Sequence, residues 1–114
     1  MKNFPYSVFQ ILLLSLILVS LGCARQHTVQ VHGDSLSFSY KDAGAKEISF
    51  ASSVDNFQYH PALKDSRNVW HVTVPLYKEF SYFYIVDGVV TLPECPNTIL
   101  DDFGGKNCFY VHGM

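Results

Sequence analysis

Basic charge is scarce in this 114-residue chain: 8 Lys and Arg stand against 10 Asp and Glu, and no stretch gathers the cations. A nucleic-acid footprint needs clustered Lys and Arg to neutralise phosphates, so the sequence predicts no nucleic-acid partner. Catalytic signatures are lacking too. The His residues, at 27, 32, 60, 71 and 112, fall in no ligand spacing of the His-Glu-x-x-His kind. There is no nucleophile elbow, no phosphate-cradling loop and no Cys within a catalytic signature. Asp101 and Asp102 are adjacent, yet neighbours on an extended chain point to opposite faces, whereas a glycosidase holds two acids across a cleft. The expectation is a non-enzyme with no metal and no cofactor. Internal repeats, low-complexity segments and a strong amphipathic helical period are missing as well. So is an apolar run of full spanning length: the longest, Ile11 to Leu21, falls short of the ~20 residues a bilayer helix needs.

What that run does match is the apolar core of a secretory signal, about 7–15 residues long, with Lys2 as its positive n-region. Gly22 is small and Cys23 follows it. The four residues Ser20-Leu21-Gly22-Cys23 resemble the lipobox of bacterial lipoproteins, whose cysteine is acylated before cleavage in front of it. That family prefers Leu at the first of the four positions, where this chain has Ser20. The resemblance implies a signal peptide over 1–22, lipid attachment at Cys23 and a place on the periplasmic or surface face of a bacterial membrane. An ordinary cut nearby and a retained, uncleaved anchor are the alternatives. Cleavage leaves residues 23–114, a span of 92 residues with 7 Lys and Arg against 10 Asp and Glu, enough for one domain. Its 14 aromatic side chains are ample for a core in so short a chain. Residues 23–34 are read as lipidated N-terminus and tether, and 35–112 as the folded domain.

Beyond Cys23 the period is 2. Leu36, Phe38 and Tyr40 alternate with Ser35, Ser37 and Ser39; Trp70, Val72 and Val74 alternate next; Phe80, Tyr82, Tyr84 and Val86 form the clearest strand. Lys41 to Ala45 and Asp87-Gly88 read as turns; Asp55-Asn56, Tyr59 to Pro61 and the stretch from Pro93 to Asn97 read as loops. Further short strands are predicted around Glu47 to Ala51, Val89 to Leu92 and Asn107 to His112. Six or seven short strands with turns between them predict an all-β sandwich. On the clearest strand Ser81, Phe83 and Ile85 make the opposite face partly apolar as well, through cover by neighbouring loops or as an exposed binding surface. Cys95 and Cys108 are an even pair, either a disulfide or two buried thiols.

The order of motifs resembles a known family. Ile48 to Phe57 (ISFASSVDNF), Trp70 to Leu76 (WHVTVPL), Phe80 to Gly88 (FSYFYIVDG), then Pro96-Asn97 with Asp102 to Asn107 (DFGGKN) are similar to successive segments of family 48 carbohydrate-binding modules. Such glycogen-binding domains occur in the β subunit of AMP-activated protein kinase and at the N-terminus of isoamylases and branching enzymes. The resemblance spans roughly Leu36 to Val111. It implies an immunoglobulin-like (early set) β-sandwich that binds glycogen or a related α-glucan without catalysis. Two Trp residues of that family stack on sugar rings. The first position is Phe57 here and the second is Val90, which cannot stack; the family's Lys on the preceding strand is Phe83. Lys106 and Asn107 fall where the family places an Asn pair. Phe57, Tyr59, Phe83, Lys106 and Asn107 are therefore the candidate ligand residues, for a polysaccharide or, with sugar binding lost, for an envelope protein.

Overall fold

The computed structural model describes residues 26–113, so residues 1–22, read from the sequence as a signal peptide, Cys23 and the first residues read as tether lie outside the described part. Ten strands follow in chain order: β1 His27–His32, β2 Ser35–Lys41, β3 Ile48–Ser52, β4 His60–Pro61, β5 Leu63–Lys64, β6 Val69–Pro75, β7 Glu79–Val86, β8 Val89–Thr91, β9 Thr98–Leu100 and β10 Lys106–Val111. A single 3₁₀ turn, Ser53–Asp55, is the only helical element among the described residues. No helix there is long and apolar enough to cross a membrane. The strands form two antiparallel sheets, one ordered β1-β2-β6-β5 and one β4-β3-β7-β10-β9 with β8 added beside β7. The fold is an all-β sandwich, as the period of 2 predicts.

Alternation explains why the sheets meet. In β2, Leu36, Phe38 and Tyr40 are buried while the serines between them are half-buried. β7 turns Phe80, Tyr82 and Tyr84 to the same interior, and β6 adds Trp70 and Val72. The aromatic rings interlock across the layers: Phe38 lies 4.7 Å from Phe50 and 5.0 Å from Tyr82, and Tyr40 lies 5.0 Å from Tyr84. Burying each such ring contributes roughly 2–3 kcal/mol. The Trp70 indole N–H, which needs a partner once buried, donates to the Asp42 carbonyl at 3.1 Å.

The sequence reading of 23–34 as a tether needs correction. β1 begins at His27 and pairs with β2 over its whole length, from His27 opposite Tyr40 to His32 opposite Ser35. As an edge strand it buries one side chain, His27, and leaves most of the others exposed, so its residues carry no apolar stripe. One loop reading changes likewise, and one strand is added where the sequence offers no reading. Residues 60–61 pair with β3, and Thr98–Leu100 pairs with β10 beyond the Pro93–Asn97 loop. Cys95 and Cys108 are joined, their Cα atoms 5.9 Å apart, so the first of the two sequence alternatives is the one present.

The registers also sort the connections between two ends. Gln26, the β2–β3 loop, the β5–β6 turn, the β7–β8 turn and the β9–β10 loop all sit at one end. The β1–β2 turn, the 53–59 loop and the 76–78 loop sit at the other. At the first end Asp87 (φ 48°) and Gly88 (φ 84°) supply the two left-handed residues of a two-residue hairpin turn. The Asp87 carboxylate accepts the Lys46 and Glu47 N–H groups at 2.9 and 2.8 Å, tying that turn to the neighbouring loop.

Candidate functional site

The six-stranded sheet has a second apolar face. Successive strand residues point to opposite sides, so Ala51 on β3 and Phe83 and Ile85 on β7 point away from the aromatic core. Ala51 and Ile85 are nevertheless only 0% and 6% exposed. A loop covers the Phe83 part of this face. Asn56 (φ 64°) and Phe57 (φ 61°) are consecutive left-handed residues, and the Phe57 N–H donates to the Ser52 carbonyl at 2.8 Å. Left-handed backbone is disfavoured for a bulky side chain by roughly 1–2 kcal/mol. The reversal lays the Phe57 ring parallel to that of Phe83, with centroids 5.4 Å apart and planes 11° apart. Both rings are half-buried.

Three further contacts hold the loop. His60 bonds Asp55 at 2.5 Å, and that bond keeps the Asp55 carboxyl below its ordinary range. Ser53 Oγ accepts the Ser81 N–H at 3.1 Å, fastening the loop to the start of β7. The next residues then return along β3 as β4. Extending that register by one residue sets Tyr59 opposite Ala51, on the outer face, where it is 60% exposed.

Four of the five candidate ligand residues share this face. Continuing the β7–β10 register from Cys108 opposite Tyr82 sets Asn107 opposite Phe83, and Asn107 is 8% exposed. A row therefore crosses the sheet: Tyr59, Ala51, Phe83 with Phe57 stacked on it, Asn107, and Ile99 opposite Asn107. Val90, the position where the resemblance implies a second stacking ring, pairs with Ile85 and stands 58% exposed beside the same row. Lys106 does not belong. It alternates with Asn107 and so shares the side of Cys108, whose side chain is fully buried in the core. It is exposed only because β10 begins there.

The face can offer flat aromatic rings, one amide and exposed aliphatic chains, with no cation in the row. Among the described residues no group of three His, Cys, Asp or Glu is placed to hold a metal ion.

A second region escaped the sequence reading. A cleft of about 750 Å³ opens between β1 and the Glu94–Asn97 segment, with Tyr82 and Tyr110 in its wall. His27 lines it, Nε2 lying 2.9 Å from the Tyr84 hydroxyl, while the ring also bonds the Glu94 backbone. Burial lowers the His27 pKa to about 4. At neutral pH the imidazole is thus uncharged and occupied on both sides, a clamp between the sheets. Only the knowledge that β1 is a strand would have drawn attention to it.

Compared with known proteins, the chain matches no family model and no curated relative.

Proposed function

We propose that this chain is an exported, membrane-anchored lipoprotein whose immunoglobulin-like sandwich is a non-catalytic carbohydrate-binding module. Cys23 carries the lipid, and the ligand is a glycogen-like α-glucan or a polysaccharide with similar apolar ring faces. The observation that carries the reading is the row of Tyr59, Phe57 on Phe83, and Asn107 across one sheet face. A pyranose presents C–H groups from its broad face, and these pack on an aromatic plane. Phe57, set flat by two left-handed residues, is such a plane, and Tyr59 extends it with a hydroxyl. The resemblance to glycogen-binding modules points to the same position. With Val90 in place of a second ring, binding is weak and depends on several contacts along one chain.

A second reading has its own support. Val90, Leu92 and Ile99 are 58%, 38% and 42% exposed, and aliphatic chains of that kind pack against protein rather than sugar. It makes the same face a docking surface for an envelope protein.

Native gel retardation separates the two, using the mature domain with Cys23→Ser in gels with and without glycogen or amylopectin. The glycan reading predicts retardation that is lost in Phe57→Ala and Tyr59→Ala and kept in Lys106→Ala. Absence of retardation at high polysaccharide loading rejects it and favours the protein partner.

A further inference from the structure

One end of the sandwich combines three features that nothing in the glycan face requires. The first is the β9–β10 loop. The Asp101 carboxylate accepts the Phe103 and Gly105 N–H groups at 2.9 and 2.8 Å, and the Asp101 N–H donates to the Gly105 carbonyl at 2.8 Å. Gly104 takes φ 83°, which favours glycine, and a Cβ on Gly105 would crowd the Asp101 carboxylate at 2.7 Å. This closed loop holds Phe103 at its tip, 97% exposed. Leu100 and Val89 at the same end are 66% and 64% exposed. A fixed, wholly exposed Phe flanked by aliphatic residues is costly in water unless something covers it.

The second feature is where the chain emerges. Gln26 precedes β1 at this end, and its neighbour His27 lies against Tyr84. The β9–β10 loop that carries Phe103 lies at this same end, between Leu100 of β9 and Lys106 of β10. Only Ala24 and Arg25 separate Gln26 from Cys23, a reach of about 10 Å when extended. Just before Cys23 stands the apolar run Ile11 to Leu21. An acylated Cys23 and a retained apolar segment both bring this end to the bilayer.

Charge is the third. Five of the six Lys and Arg among the described residues, Lys41, Lys46, Lys64, Arg67 and Lys106 against Lys78, lie at or next to this end, all exposed. Asp42, Glu47, Asp65, Asp87, Asp101 and Asp102 share it, but Asp42, Asp65, Asp87 and Asp101 are engaged by backbone N–H groups. The end is therefore of mixed sign and close to neutral, and its ammonium and guanidinium groups can meet headgroup phosphates with their stems towards the acyl chains.

We infer that this end rests on the lipid surface, with Phe103 inserted at the acyl–headgroup boundary and Leu100 and Val89 beside it. This rests on the membrane-anchor reading and is independent of glycan binding. The strands then stand away from the membrane, and the Phe57–Phe83 face looks sideways along it.

The test uses the full chain with its native N-terminus, purified from membranes and reconstituted in phosphatidylethanolamine–phosphatidylglycerol vesicles. Trp70 is the single Trp and is present in every variant, so the wild-type chain in the same vesicles gives the emission to subtract. Phe103→Trp adds a reporter at the proposed contact, and Tyr77→Trp adds one at the opposite end, where Tyr77 is 42% exposed. The expected result is that brominated acyl chains remove most of the added emission in Phe103→Trp and leave that in Tyr77→Trp. Equal, unquenched emission from both variants in vesicle-bound protein overturns the inference and leaves the anchor standing. Quenching of Tyr77→Trp alone overturns it by reversing the orientation. Protein that does not sediment with vesicles removes the anchor and the inference together.

Discussion

The two faces of β7 are made by different means. Its inner face, Phe80, Tyr82 and Tyr84, is buried by the partner sheet, every ring meeting Phe38 or Tyr40 across the sandwich. Its outer face is sheltered at Phe83 by one loop residue, Phe57, in a left-handed conformation. One face is fixed by the global alternation of strands, the other by a local backbone reversal. The first is what makes the chain fold. The second has the composition of a contact surface, because its aromatic rings stay half-open and its aliphatic neighbours are not covered.

The difference is measurable, and its largest effect lies in the core. Phe38 is fully buried among Phe50, Phe80 and Tyr82. Phe38→Ala is expected to cost about 3–5 kcal/mol in urea unfolding, enough to abolish folding of so small a domain. Below that comes acid. The His27 pKa of about 4 lies beneath its ordinary 6.5, so the unfolded chain takes up the proton first as pH falls. Stability should therefore decline from about pH 6.5 to about pH 4, by roughly 2–3 kcal/mol, and His27 should contribute no further loss below that. Urea midpoints across that range check it, with ring NMR signals of His27 reporting the titration directly.

On the outer face the expected costs are smaller. Phe57→Ala loses the ring stack and should cost about 1–2 kcal/mol. Phe57→Gly loses the same ring but relieves the left-handed backbone, so it should destabilise less than Phe57→Ala by about 1 kcal/mol. An equal or greater cost for Gly would mean that strain at this residue is not part of how the platform is held. Smallest of all, Lys106→Ala should change stability by under about 0.5 kcal/mol, since the exposed side chain shares neither the core nor the aromatic row.

The inner face was legible because β2, β6 and β7 write their alternation in Phe, Tyr, Trp, Leu and Val. β1 was not, because an edge strand that buries one His and exposes Thr, Gln and His has no stripe to read. β4 and β5 have two residues each, too short for any period. At the outer face the sequence identified Phe57, Tyr59, Phe83 and Asn107 by residue type and by resemblance. It could not show that Phe57 turns back onto Phe83, since a positive φ at Phe leaves no compositional mark. Lys106 and Asn107 looked equivalent as neighbours. Their separation needed the parity of Cys108, which only the register with Tyr82 supplies. The disulfide, too, depended on a distance, the 5.9 Å between Cα atoms that no spacing in sequence determines.

A titration of the ¹⁵N-labelled domain with a linear α-glucan oligosaccharide, followed by NMR, tests the central claim most directly. The account predicts saturable shifts at Ala51, Phe57, Tyr59, Phe83 and Asn107, with Lys78 and the β1 amides unmoved. No shifts at high oligosaccharide, or shifts confined to His27, Glu94 and the cleft beside β1, would contradict it.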